Sequence, residues 1–269
     1  MSDDTLFPET ISITVCGDGG TGKSSLSLRL VRSCWTTDYD PTIQDFYTTT
    51  RTYSGRPYHL HLTDTAGQEE YRGLWSSSGM SSDAYLLVYD VTNKRSLEEL
   101  EWFDGLIEME AEMREEKFER ERELELSGKK GGKDGMGGNG KGPAGAGGGF
   151  AVRPVKIVAG NKVDLSGQRE VTAEEGLKWA RGRGAGFMET SARNCVNVEE
   201  TFELLVRRVV EAREAARNGV APPFPEGKPF VLPDEDEKER KRMSVLTGKS
   251  KGKKGRGIRR FGCAGCVIC

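Results

Sequence analysis

The sequence predicts an α/β fold with a mostly parallel six-stranded sheet flanked by helices. Between residues 11 and 217, short apolar segments alternate with helix-like segments, which is the order expected when helices connect parallel strands. Two of the apolar segments, residues 84–90 and 155–160, are almost continuously apolar, as in strands that are buried on both faces. A chain of 269 residues, 35% of them hydrophobic, can build a core of the size that such a sheet needs.

Each predicted element is supported by its own pattern. Strands are predicted at residues 11–16, 45–53, 58–64, 84–90, 155–160 and 186–190. Helices are predicted at residues 22–33, 96–109, 172–181 and 198–216. Thr172 and Glu175 have the spacing of a capping box, so they are expected to mark the start of a helix.

The predicted domain has a short extension before it, an insertion within it and a tail after it. We assign residues 1–10 to the extension, 11–217 to the domain, 108–152 to the insertion and 218–269 to the tail. Residues 108–127 hold nine acidic and four basic side chains, which predicts a solvent-exposed prolongation of the preceding helix. Residues 128–149 include twelve glycines, so we expect a flexible loop there. The insertion is either a docking or regulatory arm or tolerated surface padding, and we favour padding.

Composition excludes several classes of protein. Lysine and arginine number 40 against 42 acids, a net charge of -2, so charge gives no reason to propose a nucleic-acid partner. No apolar run approaches the roughly 18 residues of a membrane-spanning helix, and we expect no secretory signal at the start. The cysteines are spaced neither as a disulfide framework nor as a zinc site, which favours a reducing compartment. They are Cys16, Cys34, Cys195, Cys263, Cys266 and Cys269.

A phosphate-binding loop is predicted directly after the first strand. Residues 17–24 match the pattern G-x-x-x-x-G-K-S, and a predicted helix follows them. In such a loop the backbone N–H groups surround the phosphates, and the helix N-terminus adds positive potential. Lys23 can reach the terminal phosphates and the Ser24 hydroxyl can ligate Mg²⁺. The predicted phosphate-binding residues are Gly17, Asp18, Gly19, Gly20, Thr21, Gly22, Lys23, Ser24 and Ser25.

A second motif indicates which base is bound. The sequence Asn161-Lys162-Val163-Asp164 closes an apolar strand, and ligands of open α/β sheets gather at the carboxyl ends of strands. The Asp164 carboxylate can accept hydrogen bonds from the N1–H and exocyclic amine of guanine, a pair that adenine does not offer. Asn161 can address the O6/N7 edge. Together with the phosphate loop, this motif predicts GTP as the nucleotide.

These motifs, with three further segments, give the chain a resemblance to the Ras family of small GTPases over roughly residues 11–217, apart from the insertion. Residues 39–45 (YDPTIQD) resemble the family's first switch and residues 64–71 (DTAGQEEY) its second. Residues 189–193 (ETSAR) resemble the last base-binding loop. The D-P-T-I run and the E-E-Y ending are closer to Ras than to Rho, Rab or Ran. The resemblance implies a P-loop NTPase fold of the small G domain type.

The resemblance also implies roles for individual residues. Gln68 is expected to orient the attacking water, and Lys23, Thr42 and the Gly67 N–H to contact the γ-phosphate. The implied Mg²⁺ ligands are Ser24, Thr42 and, through water, Asp64. The implied guanine-binding residues are Trp35, Asn161, Lys162, Asp164, Ser191, Ala192 and Arg193, with a core position as the alternative for Trp35. The implied effector face is Tyr39, Asp40, Pro41, Thr42, Ile43, Gln44, Asp45, Phe46 and Tyr47.

The expected activity is slow GTP hydrolysis that switches the protein between GTP-bound and GDP-bound states. An exchange factor, a GTPase-activating protein and effectors are the implied partners. The chain has no recognisable arginine finger of its own, so intrinsic hydrolysis is expected to be slow. An arginine supplied by a partner can increase the rate by roughly 10³- to 10⁵-fold. Two alternatives stay open, a guanine-nucleotide-binding scaffold that does not hydrolyse GTP and a P-loop ATPase or nucleotide kinase. Asp18 departs from the small apolar residue usual in the family, and we expect its side chain to point away from the phosphates.

The tail has the pattern of a membrane anchor. Cys266-Val267-Ile268-Cys269 fits a C-a-a-X box, which predicts prenylation of Cys266. One lipid binds membranes weakly, and the seven basic residues within 249–260 supply a second signal toward an anionic surface. Cys263 is a candidate for S-palmitoylation. We therefore expect the protein at the cytoplasmic face of the plasma membrane, with a nuclear signal or solvated linker as alternatives for the basic run.

Overall fold

A six-stranded sheet organises the residues that the computed structural model describes, which are 8–32, 44–65, 81–126 and 151–220. The strands are β1 (Glu9–Cys16), β2 (Gln44–Tyr53), β3 (Arg56–Thr65), β4 (Ala84–Asp90), β5 (Val155–Asn161) and β6 (Gly186–Glu189). Their spatial order is β2-β3-β1-β4-β5-β6. β2 pairs antiparallel with β3, and every other pairing is parallel, so the predicted mostly parallel sheet is confirmed.

Helices cover the sheet and follow the predicted positions, except that one predicted helix is divided in two. Within the described ranges they are α1 (Lys23–Arg32), α2 (Lys94–Glu98), α3 (Leu100–Leu126), α4 (Ala173–Gly182) and α5 (Val198–Arg217). The helix predicted at 96–109 is divided at Glu99 into α2 and α3. β1 begins at Glu9, two residues inside the segment assigned to an N-terminal extension, because Glu9 and Thr10 pair with Tyr58 and His59 of β3.

The core explains why the central strands are continuously apolar. Every residue of β4 and β5 is buried, as expected for strands covered on both faces. Tyr85, Tyr89 and Leu100 are fully buried on the side that α2, α3 and α4 cover. The predicted capping box opens α4, where the Thr172 N–H donates to Glu175 Oε2 (2.8 Å) and the Glu175 N–H donates to Thr172 Oγ1 (3.2 Å).

The charged part of α3 is attached to the domain at its base. Arg114 donates to Glu110 Oε1 (2.7 Å) and to the Ser82 carbonyl (2.9 Å), just before β4. Arg153, just before β5, pairs with Glu108 (2.9 Å) and Glu115 (3.2 Å). These contacts fix the direction in which α3 continues to Leu126, where the described residues stop.

Several predicted segments fall outside the described residues. These include the glycine-rich loop at 128–149 and the lipidation candidates Cys263 and Cys266. The chain divides into two units, Met1–Val231 and Leu232–Cys269, and all described residues belong to the first. Among the helices that the structure describes, none combines the length and apolarity needed to cross a bilayer.

Candidate nucleotide-binding site

The carboxyl ends of the parallel strands bring the predicted nucleotide residues to one edge of the sheet. β1 leads into the phosphate loop at Gly17, and its Val15 pairs with Asp64 of β3. β5 ends at Asn161, the first residue of the predicted base-binding motif. Since parallel strands point their carboxyl ends the same way, residues far apart in sequence form one site there.

Two glycines are required by the close packing of the phosphate loop. At Gly17, φ is 142° and an added Cβ would lie 2.1 Å from the Val88 carbonyl oxygen. At Gly22, φ is 93° and an added Cβ would lie 2.3 Å from Nδ2 of Asn161. Any other residue at these positions would strain the backbone and displace a neighbouring strand or the base-binding motif. The glycines therefore hold the phosphate loop against the two strands that flank the site.

Hydrogen bonds within the phosphate loop hold Lys23 inside it. Lys23 Nζ donates to the Asp18 carbonyl (2.8 Å), and Thr21 Oγ1 donates to the same oxygen (3.0 Å). Asp18 Oδ1 accepts a hydrogen bond from the neighbouring Gly19 N–H (2.7 Å), and the expectation that this side chain points away from the phosphates stays a prediction. A short acidic side chain readily bonds a neighbouring backbone N–H in this way. The carboxylate consequently lies on the phosphate loop itself.

Burial lowers the pKa of Lys23 and raises that of the nearby Asp64. Lys23 is 5% exposed, and burial lowers the pKa of its ammonium group, while Asp64 acts in the opposite direction. Asp64 is fully buried, and burial raises its pKa to about 6 although Ser24 and Lys23 lower it. Neither carboxylate oxygen of Asp64 has a well-formed hydrogen bond among the described residues. A buried carboxylate with lone pairs to spare, close to the Ser24 hydroxyl, is a donor set that suits Mg²⁺.

Asn161 connects the phosphate loop with the last base-binding loop. Its Nδ2 donates to the Thr21 carbonyl (2.9 Å), and its Oδ1 accepts from the Ala192 N–H and Thr190 Oγ1 (3.3 Å each). The side chain is 2% exposed, so these bonds are shielded from water. One buried amide therefore sets the relative position of the two loops.

Asp164 is oriented by the loop that follows β6. Asp164 Oδ1 accepts a hydrogen bond from Ser191 Oγ (2.6 Å), and Ser191 Oγ accepts one from the Asn194 N–H (3.0 Å). Oδ2 of Asp164 has no hydrogen-bond partner among the described residues. The neighbouring Lys162 has a left-handed backbone (φ 67°) and pairs with Asp90 at 2.6 Å. Asp164 is thus bonded to Ser191 and Asn161 to Ala192 of the same loop, while Lys162 pairs with Asp90 instead.

Sequence reasoning missed Arg29, which supports the base-binding loop from α1. Its Nε donates to the Ala192 carbonyl (3.0 Å) and its Nη2 to the Arg193 carbonyl (2.7 Å). These partners lie more than 160 residues away in sequence, and an arginine on an amphipathic helix carries no local signal of such a contact. Arg29 therefore contacts the base-binding loop through two main-chain carbonyls.

Part of the predicted site lies outside the described residues. This applies to Trp35, Tyr39, Asp40, Pro41, Thr42, Ile43, Gly67 and Gln68. The rest of the predicted effector face is on β2, where Phe46 is 73% exposed and the Tyr47 hydroxyl donates to Asp45 Oδ2 (3.1 Å). Burial, with the charge of Asp45, raises the pKa of Tyr47 to about 12, so this phenol stays protonated at neutral pH.

A cavity of about 390 Å³ lies away from this site, at the other end of β5. Its lining includes Ile107 and Ala111 of α3, Val155 of β5 and Ala212 of α5. None of the predicted nucleotide ligands is among the described residues that line it. The cavity is therefore separate from the predicted nucleotide site.

Comparison with known proteins agrees with the fold. A model of the Ras family matches residues 12–119 and 151–211, more than half of the chain. Ras-like protein B of Aspergillus fumigatus is 34% identical over 210 residues, which cover 78% of this chain and 81% of that protein. Ras-like protein 1 of Saccharomyces cerevisiae is 32% identical over 197 residues, which cover 73% of this chain and 52% of that protein. The chain belongs to the Ras family of small GTPases.

Proposed function

We propose that the protein is a membrane-tethered GTPase switch that cycles between a GTP-bound signalling state and a GDP-bound resting state. Membership of the Ras family supports GTP binding and GTP hydrolysis in general. We propose in addition that intrinsic hydrolysis is slow, that the protein is tethered to a membrane and that it acts through effectors.

The observation that carries this proposal is the position of Asn161 between the two nucleotide loops. Its amide joins Thr21 of the phosphate loop to Ala192 of the base-binding loop, while Asp164 is oriented by Ser191. A carboxylate held with one oxygen open can accept the paired donors of guanine. The arrangement therefore supports a guanine nucleotide rather than a general phosphate ligand.

Magnesium fits the residues beside the phosphate loop. Ser24 and the buried Asp64 provide oxygen donors, and we propose Thr42 as a third ligand in the GTP-bound state. A bound Mg²⁺ supplies charge neutralisation at the β- and γ-phosphates. Lys23, held in the loop by the Asp18 carbonyl, is placed to exchange that contact for a terminal phosphate oxygen.

The switching steps are proposed from the sequence. Thr42 and the Gly67 N–H would contact the γ-phosphate and lose that contact after hydrolysis, which changes the segments that partners recognise. Gln68 would orient the attacking water. An exchange factor would reload GTP, and a GTPase-activating protein would supply the positive charge that the transition state still lacks.

Membrane attachment is proposed from the tail. Prenylation of Cys266, the basic run within 249–260 and acylation of Cys263 would together hold the protein at an anionic cytoplasmic leaflet, such as that of the plasma membrane. Vesicle flotation of prenylated and unprenylated protein on anionic and neutral lipids tests this part of the proposal.

The hydrolytic role is tested by replacing Gln68. In Gln68→Leu, single-turnover hydrolysis should fall, both alone and with an activating partner, while GTP stays bound. Gln168→Leu is the matched control, because Gln168 is exposed at the end of the short 3-10 helix Val163–Gln168. This variant should hydrolyse GTP normally. Undiminished hydrolysis in Gln68→Leu would contradict the role assigned to that residue.

A further inference from the structure

The only two histidines of the 269-residue chain lie side by side on one face of β3. His59 and His61 are two positions apart, so the alternation of a strand points both side chains to the same face. Their rings are 5.0 Å apart between centroids and nearly perpendicular, at 75°. His61 is exposed and His59 is half-buried. The nucleotide site uses neither residue.

The spacing of the two rings matches that of two imidazoles on one metal ion. Imidazole nitrogens bind Zn²⁺ at roughly 2.0 to 2.1 Å, and two rings at a right-angled to tetrahedral angle then have centroids roughly 4.5 to 5.5 Å apart. The observed 5.0 Å lies within that range. The centroid spacing of the two rings is therefore compatible with both binding one ion.

A cross-strand hydrogen bond prepares His59 as a ligand. Thr50 lies opposite His59 in the antiparallel β2–β3 pair, and its Oγ1 is hydrogen-bonded to His59 Nδ1 at 3.0 Å. When Nδ1–H is the donor, Nε2 keeps the lone pair with which it can bind a metal. Partners of this kind on the second ring nitrogen orient histidine ligands and fix their tautomer.

We propose that His59 and His61 form a surface chelate for a divalent ion that prefers imidazole ligands, namely Zn²⁺, Ni²⁺ or Cu²⁺. Among residues 8–32, 44–65, 81–126 and 151–220, no group of three or more histidine, cysteine or carboxylate side chains could hold a metal. Water or the side chain of a partner would therefore complete the coordination. The chelate lies on the same two-stranded hairpin as Phe46 and adjoins the predicted effector face.

Nickel titration of the full-length chain tests the chelate. Equilibrium dialysis gives the affinity, and the C–H signals of the imidazoles in NMR report which rings bind, because the chain has two histidines. Both sets of signals should broaden together at the same Ni²⁺ concentration. Replacing either histidine, as His59→Gln or His61→Gln, should lower the affinity by about tenfold or more, since the second ligand no longer binds intramolecularly.

A matched control keeps two histidines but separates them. In the double variant Arg56→His with His61→Gln, the two imidazoles lie on opposite faces of β3, because residues 56 and 59 differ by an odd number of positions. This variant should bind as weakly as His61→Gln. All variants retain the six cysteines, so thiolate binding contributes equally to each. Equal affinity in wild type and both single variants, or tight binding by the opposite-face control, would overturn the proposal.

Discussion

The side-chain amide of Asn161 donates a 2.9 Å hydrogen bond to the main-chain carbonyl of Thr21, 140 residues earlier in the chain. The same side chain accepts from the Ala192 N–H. The predicted phosphate-binding loop and the predicted base-binding loops are therefore connected by one buried side chain. Binding of base and binding of phosphate should consequently be affected together when this group is changed.

Asn161→Ala should weaken binding of GTP and GDP by about 5- to 150-fold. The change leaves the Thr21 carbonyl and the Ala192 N–H buried without this partner, which costs about 1 to 3 kcal/mol. Competition against a fluorescent GDP analogue measures the loss. Asn218→Ala, at the exposed end of α5, is the control and should bind normally. A normal affinity in Asn161→Ala would show that the loops are positioned by other contacts.

Asp164→Asn should reduce the preference for GTP over inosine triphosphate. Inosine lacks the exocyclic amine that we assign to Asp164, so wild type should favour GTP, whereas an asparagine gains little from that amine. The affinity for GTP should fall by at least about tenfold, as expected when a buried donor loses a charged acceptor. Competition assays with the two nucleotides give the ratio. If the ratio of the affinities for GTP and inosine triphosphate were the same in Asp164→Asn as in wild type, Asp164 would not be the acceptor for the exocyclic amine.

Asp18→Asn should strengthen nucleotide binding. Asparagine keeps an acceptor for the Gly19 N–H but removes a negative charge from the phosphate loop. For a partly exposed charge the gain should be about 0.2 to 1 kcal/mol, larger for GTP than for GDP and smaller at high salt. Glu214→Gln, on the exposed side of α5, controls for net charge. A loss of affinity in Asp18→Asn would mean that the carboxylate itself supports the loop.

Asp83→Asn should destabilise the fold in a pH-dependent way. Burial alone would raise the pKa of Asp83, but the Ser12 N–H and hydroxyl and Arg213 outweigh it and hold that pKa below its ordinary value. Because this pKa is lower in the folded than in the unfolded chain, the ionised Asp83 stabilises the fold at pH values above its ordinary pKa of about 4. This stabilisation is lost as the pH falls to the pKa of the folded state.

The measurement is urea unfolding of wild type and Asp83→Asn at fixed nucleotide concentration. We expect a loss of about 1 to 3 kcal/mol at pH 7, because the Ser12 and Arg213 groups lose their charged acceptor. The difference should shrink below pH 4. Glu123→Gln, which removes an exposed acid from α3, should leave the free energy of unfolding unchanged both at pH 7 and below pH 4. A difference that is independent of pH would show that ionisation of Asp83 is not responsible.

The fold and the phosphate loop were predictable because their signals are local. Continuous apolar runs mark β4 and β5, and Gly17 and Gly22 of the phosphate loop stand where positive φ and close approach exclude a Cβ. The capping box that opens α4 needs only residues 172 and 175. In each case the physical cause lies within a few residues of the pattern.

The remaining features depend on register and on long-range contacts, which no short pattern contains. Arg29 reaches the base-binding loop from another element. The alignment of His59 with Thr50 follows from the β2–β3 register, which the sequence alone leaves undetermined.

Single-turnover release of γ-phosphate from the purified full-length chain tests the central proposal most directly. Protein loaded with labelled GTP and given Mg²⁺ should release phosphate slowly, release should stop when Mg²⁺ is chelated, and excess ATP should not compete. Retention of intact GTP with no release, alone or with an activating partner, would instead indicate a scaffold that binds guanine nucleotides. Equal competition by ATP and GTP would contradict the guanine-specific site built around Asn161 and Asp164.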